Sequence, residues 1–119
     1  MSFNNFSNFV FSKLNSLIPK EYLDVYMDMS YPITEYFIYT SHNTYVSGNK
    51  YNSDSKLEMY EINLKKGCRC IELDIMQTKE DALIVKHKSS QNNILLEDVL
   101  RTIKNVGFTF NSFPIIVCV

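Results

Sequence analysis

The sequence has no excess of positive charge and no long apolar run, and each absence excludes a class of protein. Its 12 lysines and arginines are balanced by 13 aspartates and glutamates, which gives a net charge of −1. Nucleic-acid binding requires a basic patch, so we expect no nucleic-acid partner. No apolar run approaches membrane-spanning length, and the first residues lack the cationic and apolar regions of a secretory signal. We therefore expect neither a transmembrane segment nor a secretory signal.

Cysteine is also scarce, with only Cys68, Cys70 and Cys118 in the chain. An odd number of cysteines does not suit a disulfide framework, and two residues on one strand face are poorly placed to bridge each other. A zinc site would require further cysteine or histidine ligands. We interpret the three residues as reduced, buried thiols of a cytosolic protein.

What the sequence does contain is typical of a globular domain, with 45% hydrophobic and 21% charged residues. A chain of 119 residues allows one small domain. Residues 114–119 are an apolar run without a turn or polar tail after it. A free end there would expose an unpaired strand edge, so we expect a part of a larger domain rather than a compact small fold.

Two apolar runs on either side of a helical segment predict a strand, a helix and a second strand. Residues 36–42 and 68–75 are short, mainly apolar runs, and in a strand their alternate side chains would share a face. Residues 56–66 have apolar side chains near helical spacing, after the N-cap-rich segment 52–55 and before Gly67, which suits the left-handed end of a helix. A right-handed crossover makes the two strands parallel.

The later elements extend this pattern. Residues 83–87 follow the second strand too closely for a crossover, so we expect them to run back antiparallel as one arm of a ribbon. Residues 95–105 predict a helix that ends at Gly107, and an apolar strand follows. The fold class is α/β, and the order of elements is that of the N-terminal part of a (β/α)8 TIM-type barrel, truncated at the chain end.

The N-terminal part is predicted to be separate from this barrel. Residues 3–18 carry an apolar stripe at helical spacing, and residues 19–32 are typical of an irregular connector. We therefore assign residues 1–30 to a helix and connector that follow an upstream domain, and residues 31–119 to the partial barrel. The stripe fits packing against a neighbouring domain better than contact with lipid, because its polar face has few basic residues.

Polar residues stand where the predicted strands end. His42 and Asn43 close the first run, Glu72 and Asp74 close the second, and His87 closes the ribbon arm. Alternate side chains share a face, so the two carboxylates leave the sheet side by side and repel each other unless positive charge lies between them. An imidazole, an amide oxygen and two carboxylates at this edge predict a site for a hard cation beside an acid or base.

Two signatures give the chain a specific resemblance. Ser41-His-Asn-Thr-Tyr45 and Gly67-Cys-Arg-Cys-Ile-Glu-Leu-Asp74 resemble the X region of eukaryotic phosphoinositide-specific phospholipase C. The match runs in order from about Tyr26 through His87 to Phe113-Pro-Ile-Ile. In that family a (β/α)8 barrel is built from X and Y regions, so the resemblance implies that the rest of X and all of Y complete this chain.

The resemblance also implies roles for individual residues. The catalytic histidines fall on His42 and His87, and the Ca²⁺ ligands fall on Asn43, Glu72 and Asp74. A further ligand glutamate, the phosphate-binding lysines and the Y-region residues would follow the last strand. The implied activity is calcium-dependent hydrolysis of phosphatidylinositol 4,5-bisphosphate to inositol trisphosphate and diacylglycerol in lipid signalling. The implied location is the cytoplasm, at the inner face of the plasma membrane, and residues 1–119 alone are expected to be inactive.

The chain departs from the family pattern in a few places and leaves two other functions to be weighed. Lys88 stands where glycine is usual, and Met76 with Gln77-Thr78 replaces a tryptophan and an Asp-Gly turn. One alternative is a catalytically inactive scaffold that binds lipid or protein, although such a chain is expected to lose a histidine or a ligand. The other is an unrelated barrel enzyme such as a glycerophosphodiester hydrolase. We interpret three tyrosines as packing residues, namely Tyr39, Tyr45 and Tyr51.

Overall fold

The computed structural model of the chain describes residues 2–16, 18–19, 25–49, 52–88 and 90–119. These residues divide into two units, 1–36 and 37–119, and each is described by itself. The division proposed from the sequence, 1–30 and 31–119, stays a prediction.

In the first unit, helix α1 is Phe3–Val10. The side chain of Ser2 accepts a hydrogen bond from the N–H of Asn5 and caps the helix. The helix is shorter than the predicted 3–18: the Ser12 hydroxyl donates to the Phe9 carbonyl at 2.7 Å, and a 3-10 turn follows at Lys13–Asn15. No residue of α1 is buried, and its predicted packing against a neighbouring domain stays a prediction.

The predicted connector is described only in part. Leu17 and residues 20–24 lie outside the described residues, whereas residues 25–32 form neither helix nor strand and a 3-10 turn follows at Ile33–Glu35. The Tyr36 hydroxyl donates to the Asp28 carbonyl at 2.7 Å and accepts from the N–H of Tyr31 at 3.0 Å. These contacts are local to the first unit.

The second unit is built on parallel strand pairing. Strand β3 is Cys70–Glu72. It pairs in parallel with the last strand of the chain, Ile116–Cys118. On its other side, Thr40 forms a parallel bridge with Cys70. The predicted parallel arrangement is thus confirmed, but the first predicted strand is reduced to this single bridge.

A β-hairpin that the sequence pattern did not predict lies between Thr40 and the helix that precedes β3. Strands β1, Val46–Asn49, and β2, Asn52–Ser55, pair antiparallel. The prediction that residues 52–55 cap the following helix is wrong, because these residues form β2 and the N-cap position is Lys56, which makes no side-chain capping bond.

Two helices occupy the predicted positions. Helix α2 is Leu57–Lys65 and helix α3 is Leu96–Val106. Gly67 ends α2 with a φ of +91°, and the N–H groups of Gly67 and Cys68 donate to the carbonyls of Leu64 and Asn63, each at 3.0 Å. This is the Schellman arrangement that a glycine permits, as predicted.

Between β3 and α3 the chain forms an antiparallel ribbon. Strand β4, Ile75–Gln77, pairs with β5, Leu83–Val85, which confirms the predicted reversal. A short strand β6, Ile94–Leu95, pairs with the other edge of β5 and was not predicted. The last strand, Ile116–Cys118, is β7.

The core lies on one face of β3. Ile71 and Leu73 are buried, as the alternating pattern predicted, and Ile75 is exposed. They belong to a cluster that includes side chains of α2, the ribbon and α3: Tyr45, Tyr60, Leu64, Cys68, Val85, Val99 and Ile103. The helices therefore cover the apolar face of the sheet, and the polar ends of the strands lie outside this core.

The cysteines are free thiols. Cys68 is buried, Cys70 is half-buried and Cys118 is exposed, so the prediction of buried thiols is right for Cys68 and wrong for Cys118. The sulfur atoms of Cys70 and Cys118 lie 3.6 Å apart across the parallel pair β3–β7.

The connectivity is α/β, with parallel neighbours joined through helices. The Thr40 segment pairs with β3, and β3 pairs with β7, so these three segments lie side by side in the order in which they occur in the chain. Helix α2 lies in the first crossover and α3 in the second. Neighbouring strands in chain order are the arrangement of a (β/α) barrel wall. None of the helices in the described part of the chain is long and apolar enough to cross a membrane.

Candidate functional site

The two signatures meet where the parallel strands end. His42 and Asn43 follow the bridge residue Thr40, Glu72 ends β3, and Asp74 comes two residues later. The N–H of Ser41 donates to the Cys70 carbonyl at 2.9 Å and keeps the two segments aligned up to this point. The carboxyl ends of parallel strands carry the active sites of barrel enzymes, and the predicted residues are gathered at such an edge.

The Glu72 side chain contacts both His42 and Asn43. Its Oε2 atom accepts the main-chain N–H of Asn43 at 2.6 Å and lies 3.1 Å from Nδ1 of His42. The Glu72 side chain is 29% exposed, whereas the His42 side chain is 83% exposed. A carboxylate next to Nδ1 fixes the ring through that nitrogen, so Nε2 is the nitrogen left for a substrate.

The turn that carries His42 is held to β3 by a threonine. The Thr44 hydroxyl donates to the Ser41 carbonyl at 3.2 Å and accepts the N–H of Glu72 at 3.0 Å. Within this turn Asn43 adopts a φ of +47°, a left-handed conformation that asparagine tolerates better than most residues. The Ser-His-Asn-Thr-Tyr segment is therefore a turn whose polar side chains attach it to the neighbouring strand.

The hydroxyl of Tyr45 lies close to the side chains of Asp74 and Asn43. It lies 2.6 Å from Oδ2 of Asp74 and 3.2 Å from Oδ1 of Asn43. Tyr45 is fully buried, whereas Asp74 is exposed. The phenol thus reaches from the core to the surface at which the carboxylate stands.

Tyr60 packs beside it. The two rings have centroids 6.4 Å apart, and the Tyr60 hydroxyl donates to the Glu72 carbonyl at 2.9 Å. Burial raises the pKa of Tyr45 far above its usual value, and the hydrogen bond to Asp74 raises it further. Burial also raises the pKa of Tyr60, with Tyr45 as the next cause. Both phenols therefore keep their hydrogens and act as donors at neutral pH.

His87 directly follows a residue that is hydrogen-bonded to the main chain of Asp74. It lies two residues beyond β5, and the N–H of the intervening Lys86 donates to the Asp74 carbonyl at 3.1 Å. The N–H of Ser90 donates to the His87 carbonyl at 3.0 Å. The ribbon therefore brings His87 to the rim that carries Asp74, as the antiparallel reversal predicted.

The chemistry of the donor set fits a hard cation. Asn43, Glu72 and Asp74 present one amide and two carboxylate groups, and calcium binds such oxygens with six to eight ligands. Within the described ranges, no three side chains of histidine, cysteine, aspartate and glutamate are grouped closely enough to hold a metal ion. These three residues could therefore supply only part of a coordination shell.

Sequence reasoning missed the residues that hold the site together. Tyr45 was interpreted as packing and Thr44 was not considered, although both stand inside the Ser-His-Asn-Thr-Tyr signature itself. Tyr39 contributes through its main chain, since its carbonyl accepts from the N–H groups of Arg69 and Cys70. Tyr51 lies outside the described residues.

Comparison with known proteins identifies relatives along nearly the whole chain. The sequence profile of the phosphatidylinositol-specific phospholipase C X domain matches residues 29–119. A 1-phosphatidylinositol 4,5-bisphosphate phosphodiesterase beta-4 of Bos taurus is 34% identical over 98% of this chain and 12% of its own length. The eta-1 protein of Homo sapiens is 35% identical over 100% of this chain and 7% of its own length. The chain thus spans a small fraction of these relatives.

Solved structures show the same relationship. The crystal structure of PLC21 from L. pealei superposes with a TM-score of 0.77 at 30% identity, over 98% of this chain and 15% of that one. PLC21 from S. officinalis gives the same values. The fold agrees with these matches and the family model covers residues 29–119, so the chain belongs to the phosphatidylinositol-specific phospholipase C X-domain family.

Proposed function

We propose that this chain supplies the N-terminal part of the catalytic barrel of a calcium-dependent phosphoinositide phospholipase C. The proposed reaction is hydrolysis of phosphatidylinositol 4,5-bisphosphate to inositol trisphosphate and diacylglycerol. The observation that carries the proposal is the group at the strand ends, where one Glu72 oxygen contacts both the His42 ring and the Asn43 main chain. The names of the relatives, which are 1-phosphatidylinositol 4,5-bisphosphate phosphodiesterases, support the choice of substrate.

In this proposal the reaction has two steps at phosphorus. The inositol 2-hydroxyl attacks the phosphorus, the bond from phosphorus to the glycerol oxygen breaks, and a cyclic phosphodiester and diacylglycerol form. Water then opens the cyclic ester to give the inositol phosphate. Each step requires a donor for the phosphoryl oxygens, a proton for the leaving oxygen and a base for the attacking group, which is the inositol hydroxyl in the first step and water in the second.

His42 is proposed to bind the phosphoryl oxygens as charge develops on them. Its exposed ring is fixed through Nδ1 by Glu72, and in the imidazolium form, which carries a hydrogen on each nitrogen, Nε2–H has a defined direction in which to donate. A donor that is held in place before the reaction starts needs no reorganisation during it. Its hydrogen bond therefore becomes stronger as charge develops on the phosphoryl oxygen in the transition state.

His87 is proposed as the general acid and base. It would protonate the glycerol oxygen as that oxygen leaves and would later take a proton from water. Its place at the end of the ribbon, next to Asp74 through the Lys86 main chain, supports this role. Either Glu72 or Asp74 would accept the proton of the inositol 2-hydroxyl and return it to that oxygen when water opens the cyclic ester.

Asn43, Glu72 and Asp74 are proposed to hold the calcium ion, together with oxygens of the substrate and water. Bound calcium would lower the pKa of the attacking hydroxyl and offset negative charge on the phosphate. Because the substrate is a membrane lipid, the proposal places the protein in the cytoplasm, at the inner face of the plasma membrane. Residues 1–119 alone are not expected to be active, since the remaining barrel strands would supply further ligands.

The test is release of inositol trisphosphate from vesicles that contain phosphatidylinositol 4,5-bisphosphate, with the full-length protein and its His42→Ala variant. We expect the variant to lose activity by about 100- to 1,000-fold, because it lacks a donor that acts in the transition state. Vesicle sedimentation is the control and should show unchanged binding. A variant that keeps more than about a tenth of the activity would contradict the role of His42. A wild-type protein that binds the vesicles but releases no product would instead identify an inactive scaffold.

A further inference from the structure

Tyr45 makes contacts that packing alone does not require. Its ring is fully buried in the core, yet its hydroxyl lies 2.6 Å from Oδ2 of Asp74, a residue that is exposed. The same hydroxyl lies 3.2 Å from Oδ1 of Asn43. Two of the three proposed calcium ligands therefore contact one atom of a rigid, buried side chain.

A phenol has a single hydrogen to share between these two oxygens. The distance of 2.6 Å to Asp74 is that of a strong hydrogen bond to a carboxylate, so the hydrogen goes there. The remaining lone pairs of the Asp74 carboxylate stay available, because a carboxylate has about four acceptor positions. Oδ1 of Asn43 likewise keeps acceptor capacity for another partner.

Tyr60 shows what a purely structural tyrosine does in the same place. It is equally buried and packs against Tyr45, and its hydroxyl also has a partner. That partner is the main-chain carbonyl of Glu72, not a ligand side chain. The two tyrosines thus share burial and hydrogen bonding, and they differ in what the hydroxyl orients.

We propose that Tyr45 is a positioning residue, whose hydroxyl holds the side chain of Asp74 in the arrangement that binds calcium; this inference rests on the proposed function. An exposed aspartate without this bond would sample several rotamers, and binding the ion would then have to order it. Outer partners that orient metal ligands typically contribute about 10- to 100-fold to metal affinity.

The experiment compares Tyr45→Phe with Tyr60→Phe in the full-length protein. Each variant loses one hydroxyl oxygen and keeps its ring, so Tyr60→Phe is the matched control. Calcium binding is measured by titration calorimetry without lipid, and the calcium concentration for half-maximal hydrolysis is measured with vesicles. Thermal melting in a chelator reports the cost of each substitution to folding.

We expect Tyr45→Phe to weaken calcium binding about tenfold and to raise the half-maximal calcium concentration in parallel. Turnover should return close to the wild-type value at saturating calcium, because the ligands themselves remain. Tyr60→Phe should change calcium affinity less than about twofold, whatever its effect on melting. Equal affinity in Tyr45→Phe and the wild type, or equal losses in the two variants, would overturn the inference.

A double-mutant cycle separates positioning from loss of stability. Asp74→Ala removes the carboxylate that Tyr45 holds, so adding Tyr45→Phe to it should weaken calcium binding much less than in the wild-type background. Independent, additive effects would overturn the inference even if Tyr45→Phe destabilises the fold. A wild-type protein that hydrolyses the lipid without binding calcium would refute the calcium part of the proposed function instead.

Discussion

At the scale of single residues, the site depends on side chains that contact two partners at once. Glu72 uses one oxygen for the Asn43 main chain and the His42 ring, and Thr44 joins the Ser41 carbonyl to the N–H of Glu72. Shared partners restrict the turn and the strand end together. The His42 ring is therefore fixed before a substrate arrives, which lowers the entropy cost of reaching a reactive geometry.

Asp74→Asn tests whether the carboxylate at this edge binds calcium. The amide keeps an oxygen ligand but removes a charge, so the calcium concentration for half-maximal hydrolysis should rise by about tenfold and activity should recover in part at high calcium. Asp81→Asn is the matched control: Asp81 is exposed in the β4–β5 turn with a φ of +63°, which asparagine also adopts. Unchanged calcium dependence in Asp74→Asn, or an equal change in Asp81→Asn, would mark Asp74 as structural.

The sequence predicted the chemistry-bearing residues of the site but not their supports. His42, Asn43, Glu72 and Asp74 were predicted because strand alternation places side chains at a known edge, and the structure brings them together there. Tyr45 was missed because a large aromatic side chain is usually interpreted as a core residue. Its hydroxyl partner Asp74 is 29 residues away, and no local pattern reports such a contact.

At the scale of elements, the two glycines that follow α2 and α3 serve different purposes. Gly67 has a φ of +91° and open space around the position of a Cβ atom. Gly107 has an ordinary helical conformation, but a Cβ atom there would collide with the side chain of Ile115 and lie 2.6 Å from the carbonyl oxygen of Ile103. The sequence predicted both glycines as helix ends. The structure shows that the backbone conformation favours glycine at position 67, whereas the close approach of Ile115 and Ile103 favours it at position 107.

Substitution by alanine and asparagine distinguishes the two cases. Gly67→Ala should cost about 1–2 kcal/mol of unfolding free energy, and Gly67→Asn should cost less, because asparagine adopts the left-handed conformation more readily. Gly107→Ala should cost about 1–3 kcal/mol through overpacking, and Gly107→Asn should cost more because its side chain is larger. Chemical denaturation of the catalytic domain measures all four. The same rank order of alanine and asparagine at both positions would contradict this account.

The elements that the sequence failed to predict lack apolar alternation. The hairpin Val46–Asn49 and Asn52–Ser55 consists mostly of polar residues and glycine, and its pairing is made by main-chain groups. Strand β6, Ile94–Leu95, is too short to show a period. By contrast, α2, α3 and β3 carry apolar side chains that meet in one core, which is why their positions were predicted closely.

At the scale of the whole molecule, the order of neighbours carries the argument for a barrel. The Thr40 segment, β3 and β7 lie side by side in chain order, and the site residues stand at the carboxyl ends of the first two. The sequence predicted this α/β connectivity because a crossover between parallel strands has one favoured hand. Closure of a barrel does not follow from the strands of the described residues, and it stays part of the proposal.

The central claim is that His42, Asn43, Glu72 and Asp74 form one calcium-dependent catalytic site, and a crystal structure of the full-length protein with calcium and inositol trisphosphate tests it most directly. The account predicts an anomalous scattering peak about 2.3–2.6 Å from oxygens of Asn43, Glu72 and Asp74. It also predicts the inositol phosphate within hydrogen-bond distance of the His42 ring. A calcium ion bound elsewhere in the barrel, with these three residues contacting neither ion nor ligand, would contradict it.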